Sequence, residues 1–234
     1  MALLDDAIEA CGGMARWKQL ERFTLHLSID GELLSRAGQA GLFKEMAAEG
    51  STREQSVRFT GFVDPGTDGV FRPDRVAIES LEGGVLRCWP DPCRAFRETQ
   101  DVPWDELHLI FLCGFSIWNY VMTPFLLAHP NVEVEELAPR YEHDELWRRL
   151  RAAFPSAFVT HSPEQIFYFN SEGLQRRTDH DLLGKKVAHY SWAHQSFDGI
   201  VLPTLRRSLA LEPDGTITTK PALLDVEIFD ASFE

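Results

Sequence analysis

A long apolar run, residues 107–127 (LHLIFLCGFSIWNYVMTPFLL), carries no formal charge and shows apolar side chains all round a helical wheel. A helix of that kind is buried on every side, in a core or in lipid. About 20 apolar residues are enough to span a bilayer. Here His108, Asn119 and Tyr120 interrupt the run, and Gly114, Ser116 and Pro124 mark expected breaks. The pattern predicts a buried, broken helical plug over residues 105–128 and no transmembrane segment.

Around the plug the pattern is that of strands. In residues 22–30, Phe23, Leu25, Leu27 and Ile29 alternate with Thr24, His26, Ser28 and Asp30, which puts the apolar set on one face of a sheet and a solvated His26 on the other. Residues 56–63, 75–81 and 85–89 are predicted strands, with Phe62 on the polar side of the first and Pro65–Gly69 read as a surface loop. The signal over residues 32–55 is poor, and near Phe43–Met46 strand and helix are not separated. An irregular, proline-punctuated connection covers 90–103. After the plug, strands are expected at 132–137, 146–154, 166–170, 174–179, 187–194, 200–211 and 223–229. The second of these competes with a helix on propensity. Gly-bearing turns at 170–173, 196–199 and 212–215 point to antiparallel hairpins. Residues 3–16 have helical spacing, weakened at Gly12-Gly13. The predicted architecture is a mostly β single domain, 1–234. One curved antiparallel sheet, an unclosed β-barrel built from residues 17–100 and 132–230, encloses the plug. The 3–16 helix lies outside it or across an edge.

Composition changes this picture little. The chain of 234 residues is 44% hydrophobic and 25% charged, with a net charge of −13. That acidity argues against nucleic acid and anionic membrane surfaces, which demand clustered cations. Asp5, Asp6 and Glu9 stand where a secretory leader would be basic, so the expected location is cytoplasmic, or periplasmic if a leader has been removed. Cys88 and Cys93 enclose Trp-Pro-Asp-Pro but lack a second Cys/His pair at zinc spacing. Oligomeric state is not legible.

Ala-Ile-Glu-Ala-Cys-Gly-Gly at 7–13 precedes the first long strand, a helical insertion interrupts the sheet, and His189-Tyr190 is followed by Phe197-Asp-Gly-Ile-Val-Leu-Pro-Thr204. In this order and texture the chain resembles the LolA/LolB/LppX group of lipoprotein carriers. The resemblance implies an unclosed antiparallel barrel bent round short helices that fill its mouth, holding acyl chains or other apolar ligands between sheet and helices. No functional residue of the carriers is matched to a position here. The carriers are made with signal sequences, and none is seen in this chain.

The expected activity is binding or carriage of a hydrophobic small molecule or lipid, without a cofactor. Phe111, Phe115, Trp118, Asn119, Tyr120 and Phe125 of the plug are expected to face Phe23, Leu25, Leu27, Ile29, Phe167, Phe169, Tyr190 and Trp192 of the sheet. Asn119, Tyr120 and His194 would supply polar contacts near the mouth. One alternative is a metal-dependent enzyme using Asp179, His180, His189 and His194, residue types that suit zinc or iron but sit outside any ligand motif. On strict alternation Tyr190, Trp192 and His194 share one face and His189 takes the other. A further alternative is an interaction module that recruits a strand to an exposed sheet edge. There is no GxSxG elbow and no phosphate-cradling glycine loop.

Overall fold

The alternation at Arg22–Asp30 is realised as a strand, β1, whose four apolar residues are each 1% exposed or less. The computed structural model describes residues 2–99, 101–142 and 144–234. The other strands are β2 (Phe43–Ser51), β3 (Val57–Thr60), β4 (Thr67–Arg72), β5 (Arg75–Ser80), β6 (Val85–Trp89), β7 (Glu133–Glu142), β8 (Glu145–Ala153), β9 (Glu164–Phe169), β10 (Gln175–Leu182), β11 (Lys185–Phe197), β12 (Ile200–Leu211), β13 (Ile217–Thr218) and β14 (Leu224–Phe233). They form one 14-stranded antiparallel sheet in the order β6-β5-β4-β3-β2-β1-β14-β12-β11-β10-β9-β8-β7, with β13 as a spur on β12. The last strand joins the two halves, because β14 lies between β1 and β12. The path is open: β6 and β7 are its two edges. This is the mostly β, unclosed architecture expected.

The helices are α1 (Ala2–Ala10), α2 (Met14–Trp17), α3 (Glu32–Arg36), α4 (Pro92–Thr99) and α5 (Glu106–Met122), with a 3-10 turn at Phe125–Ala128. The plug is α5. Its described residues after Glu106 are all buried, and it packs on β3, β4 and β5. Asp105 caps it, with Oδ1 accepting from the N–H groups of Leu107 (3.1 Å) and His108 (3.3 Å), while His108 Nδ1 accepts from the Asp105 N–H. The expected break at Gly114 does not occur. Instead Gly114 makes room for a neighbour: a Cβ there would stand 2.4 Å from the Phe71 Cβ. The chain leaves helical geometry at Thr123, before Pro124. Among the described residues no helix is long and apolar enough to cross a membrane.

Other departures have equally local causes. The expected 65–69 loop is half strand. β4 begins at Thr67, with Asp68 bound to Arg58 at 2.8 Å and Gly69 pressed against Ile110 and Phe62. The 90–103 connection contains α4, which starts on Pro92, a residue suited to the first helical turn. Residues 43–51 are a full strand, and Phe62 turns inward to pack on Phe43 and Phe59. The predicted 3–16 helix divides at Gly12-Gly13. α1 packs on β8, next to the β7 edge, and on the 3-10 turn, with Leu3 and Ala7 buried in the core. The charged turn at 141–144 includes His143, which lies outside the described residues.

Candidate functional site: an apolar cleft beside a buried cationic cluster

Residues 154–163, which connect β8 to β9, pass over the C-terminal half of α5. Gln55 clamps them, its Nε2 donating to Val159 O (2.7 Å) and its Oε1 accepting from Val159 N–H (3.0 Å). Asn119 Nδ2 donates to the same carbonyl at 2.9 Å. Between this connection and helices α4 and α5 lies a cleft of about 440 Å³, walled by Phe96, Phe111, Phe115, Phe154 and Phe158, with Cys93 and His161 on its rim. Phe158 stacks over Trp118 at 6.4 Å, so the plug's tryptophan touches a cleft wall. Burial raises the Cys93 pKa and keeps the thiol protonated.

Behind His161 the inner face of the sheet changes from apolar to polar. Along β12, the inward row Ile200, Leu202, Thr204, Arg206, Ser208 begins with aliphatic residues and ends with hydrogen-bonding ones, all buried. Register places Thr178 opposite His189, and His189 opposite Ser208. The ring of His189 stacks on Tyr120 at 4.5 Å, and His161 lies 4.3 Å from His180. Arg206 sits under this cluster, 2% exposed, with its guanidinium carbon 4.6 Å from the centre of the Tyr120 ring. It donates to Ser191 Oγ (3.2 Å) and to Tyr120 O (3.1 Å). Its Nε and both ring nitrogens of His180 lack a hydrogen-bond partner among the described residues.

Electrostatics follow from burial. Burial pulls Arg206 down to about 10, so it remains a cation at neutral pH. Burial pushes His180 down to about 3, and burial, with the positive charge of Arg206, holds His189 well below 6.5; both rings are neutral. His161 is lowered by burial and then by its neighbours His180 and Arg206. Tyr120 and Cys11, the two groups beside Arg206 able to become anions, are pushed by burial up to about 12 and stay neutral.

The outer face of the same strands holds a second buried arginine, Arg177. It donates twice to Glu142 at 2.7 Å, to Asp179 at 2.5 and 3.0 Å, and to Tyr190 Oη at 3.2 Å. Burial lowers its pKa, but the Asp179 hydrogen bond and the acidic neighbours outweigh that and raise it overall.

Over the whole chain, this architecture matches solved structures at low sequence identity. A LolA superfamily protein from Nitrosomonas europaea superposes with a TM-score of 0.54 at 10% identity, covering 100% of this chain and 92% of that one. A DUF1329 family protein from Desulfovibrio piger gives 0.52 at 12% identity, again covering 100% and 92%. An outer membrane lipoprotein-sorting protein domain from Vibrio parahaemolyticus gives 0.52 at 10%, covering 99% and 92%. The fold is LolA-like. No family model matches the sequence, and no curated protein matches it.

In this LolA-like frame the residues expected to line a ligand site are dispersed rather than gathered in one place. Phe111 and Phe115 wall the cleft, and Asn119, Tyr120 and Phe167 surround the polar cluster behind it. Phe23, Leu25, Leu27, Ile29, Trp118, Phe125 and Phe169 are packed in the core, where the Phe23 ring fills the space above Gly50. Tyr190 and Trp192 face the wrong way for the expected role. They lie on the outer face beside Arg177 and Arg207, because the inward position on β11 belongs to His189 and Ser191. His194 is half-buried, and burial followed by repulsion from Arg206 and Arg176 lowers it to about 4. The composite Asp179/His180/His189/His194 metal site is not assembled: Asp179 is committed to Arg177 and Tyr168 on the outer face, opposite to His180. Among the described residues no group of three or more His, Cys, Asp or Glu side chains is placed to hold a metal ion. His161, Arg206 and the α4 wall were not anticipated from sequence. The polar inward row of β12 was the available signal for Arg206.

Proposed function

We propose that the protein binds a hydrophobic small molecule or acyl chain in the cleft between α4, α5 and the 154–163 connection. The observation that carries this reading is the phenylalanine-walled space of about 440 Å³ bounded by α4, α5 and the 154–163 connection, away from β1. Apolar ligand surface leaving water is worth about 25 cal/mol per Å² before ordering costs, so an acyl chain is an adequate occupant. The neighbours give independent support, since one is named as an outer membrane lipoprotein-sorting protein domain. An envelope location fits that neighbour better than the cytoplasmic one expected from sequence.

Native mass spectrometry of protein from its expression host, followed by extraction and identification of any retained lipid, tests the proposal. A bound apolar species is expected in the parent protein. Its loss is expected in a Cys93→Trp variant, which fills the cleft. A parent protein that retains nothing and takes up no fatty acid on titration contradicts the reading.

A further inference from the structure

Arg206 is buried in the interior at 2% exposure. A buried ionised group without a counter-charge is destabilising, and proteins normally pair it or neutralise it. Among the described residues Arg206 forms no ion pair with a carboxylate, and its neighbours His180, His189, Tyr120 and Cys11 are neutral. The space left in the cluster is about 20 Å³ and is lined by Arg206, His180, His189, Thr178 and Gln175. That is room for one water-sized group. Donors and acceptors without partners converge on it: Arg206 Nε, the two His180 nitrogens and Gln175 Oε1. A water there would satisfy hydrogen bonds but leave the charge uncompensated. An anionic oxygen compensates the charge and accepts from Arg206 Nε and from the single N–H of neutral His180, while Gln175 Oε1, itself an acceptor, stays outside that pairing.

The cluster and the apolar cleft share two walls, Phe154 and His161. His161 is the partition: its ring meets Phe115 at 5.1 Å on the cleft side and His180 at 4.3 Å on the cluster side. It is held by a 3.0 Å hydrogen bond with Ser116 Oγ and a 3.5 Å contact with Tyr120 Oη. The His161 ring therefore stands between the apolar cleft and the buried cation.

We infer that the ligand is an acidic amphiphile, whose carboxylate places one oxygen in the cluster to accept from Arg206 and His180 while its chain fills the phenylalanine cleft. The inference rests on the hydrophobic-ligand reading above and narrows it to a head-group class. A carboxylate fits better than a phosphate ester, since the space takes one oxygen-sized group and not a tetrahedron of them.

Calorimetric titration with decanoate, decanol and acetate separates the sources of the signal. The parent protein is expected to bind decanoate at least about tenfold more tightly than decanol, the usual worth of a charge-assisted hydrogen bond in a dry site. Acetate, which lacks the chain, is expected to bind far more weakly than decanoate. Arg206→Met is expected to bind decanoate and decanol equally, and His180→Leu to reduce the parent's preference about threefold. Equal binding of both by the parent, or a preference that survives Arg206→Met, overturns the head-group inference and leaves the cleft reading standing. Acetate binding as tightly as decanoate overturns the amphiphile and assigns the site to a free carboxylate. Failure of the parent to bind decanoate and decanol alike overturns both readings. Should Arg206→Met not fold, the His180→Leu comparison decides, and an unchanged preference there counts against the inference.

Discussion

Two arginines, Arg177 on β10 and Arg206 on β12, are buried on opposite faces of one sheet, and they are treated in opposite ways. Arg177, on the outer face, is 1% exposed and meets two carboxylates and a phenol in close geometry. Arg206, on the inner face, is 2% exposed and meets a serine, a carbonyl, a histidine ring and a tyrosine face. The first is a completed network, in which every partner would be stranded by loss of the others. The second is a charge held ready, its cost offset only by cation–π and neutral hydrogen bonds. The difference teaches that burial alone does not identify structural residues. What matters is whether the buried group's hydrogen-bonding and charge requirements are met within the chain.

The largest effect should come from breaking the completed network. Arg177→Met leaves Glu142 and Asp179 without their cation and is expected to cost about 3–5 kcal/mol in urea unfolding. Arg206→Met removes an unpaired charge and should leave stability unchanged or raise it. Similar losses in both variants would erase the contrast.

Acid sharpens the comparison from the inner side. His180 and His189 have folded-state pKa values below the usual 6.5, so below about pH 6.5 the unfolded chain binds more protons than the folded one. Their contribution is complete above that pH and is lost as the pH falls from about 6.5 toward the depressed folded values. Between about pH 7 and pH 5 each is expected to cost about 1–2 kcal/mol. His180→Phe should flatten the profile measured by denaturant melts. A slope unaltered by that substitution would mean that His180 is not buried neutral.

A packing effect of intermediate size tests the plug. Gly114→Ala drives a methyl into Phe71 and should cost about 1–3 kcal/mol, read as a drop in thermal midpoint. The smallest effect belongs to the rim of the outer network. Tyr190→Phe removes the hydroxyl shared by Glu142 and Arg177 but keeps the ring, for a loss of about 1 kcal/mol. It should leave ligand binding untouched, since Tyr190 lies on the outer face.

Much of the fold was legible because one-sided burial writes a period of two. β1 shows it, with its four apolar residues inward and Thr24 and His26 outward. α5 was legible as buried but not as unbroken, since Gly114 serves the approach of Phe71 and not a bend. β4 was hidden because Asp68 and Gly69 look like turn residues until Arg58 and Ile110 supply their reasons. The site was harder to see. Tyr190 and Trp192 are large and aromatic and drew attention inward, although the same alternation put His189 opposite to them. The inward row is the polar one, because this end of the sheet faces a cationic cluster rather than oil. Arg206, His180 and His161 come from β12, β10 and a connection, and no sequence spacing links them.

The most direct test of the account is a crystal structure of the protein grown with decanoate. The account predicts a chain between Phe96, Phe111, Phe115, Phe154 and Phe158, His161 turned aside, and a carboxylate oxygen within hydrogen-bond distance of Arg206. A closed cluster holding only water, with the ligand elsewhere or its carboxylate at the cleft mouth, would contradict it.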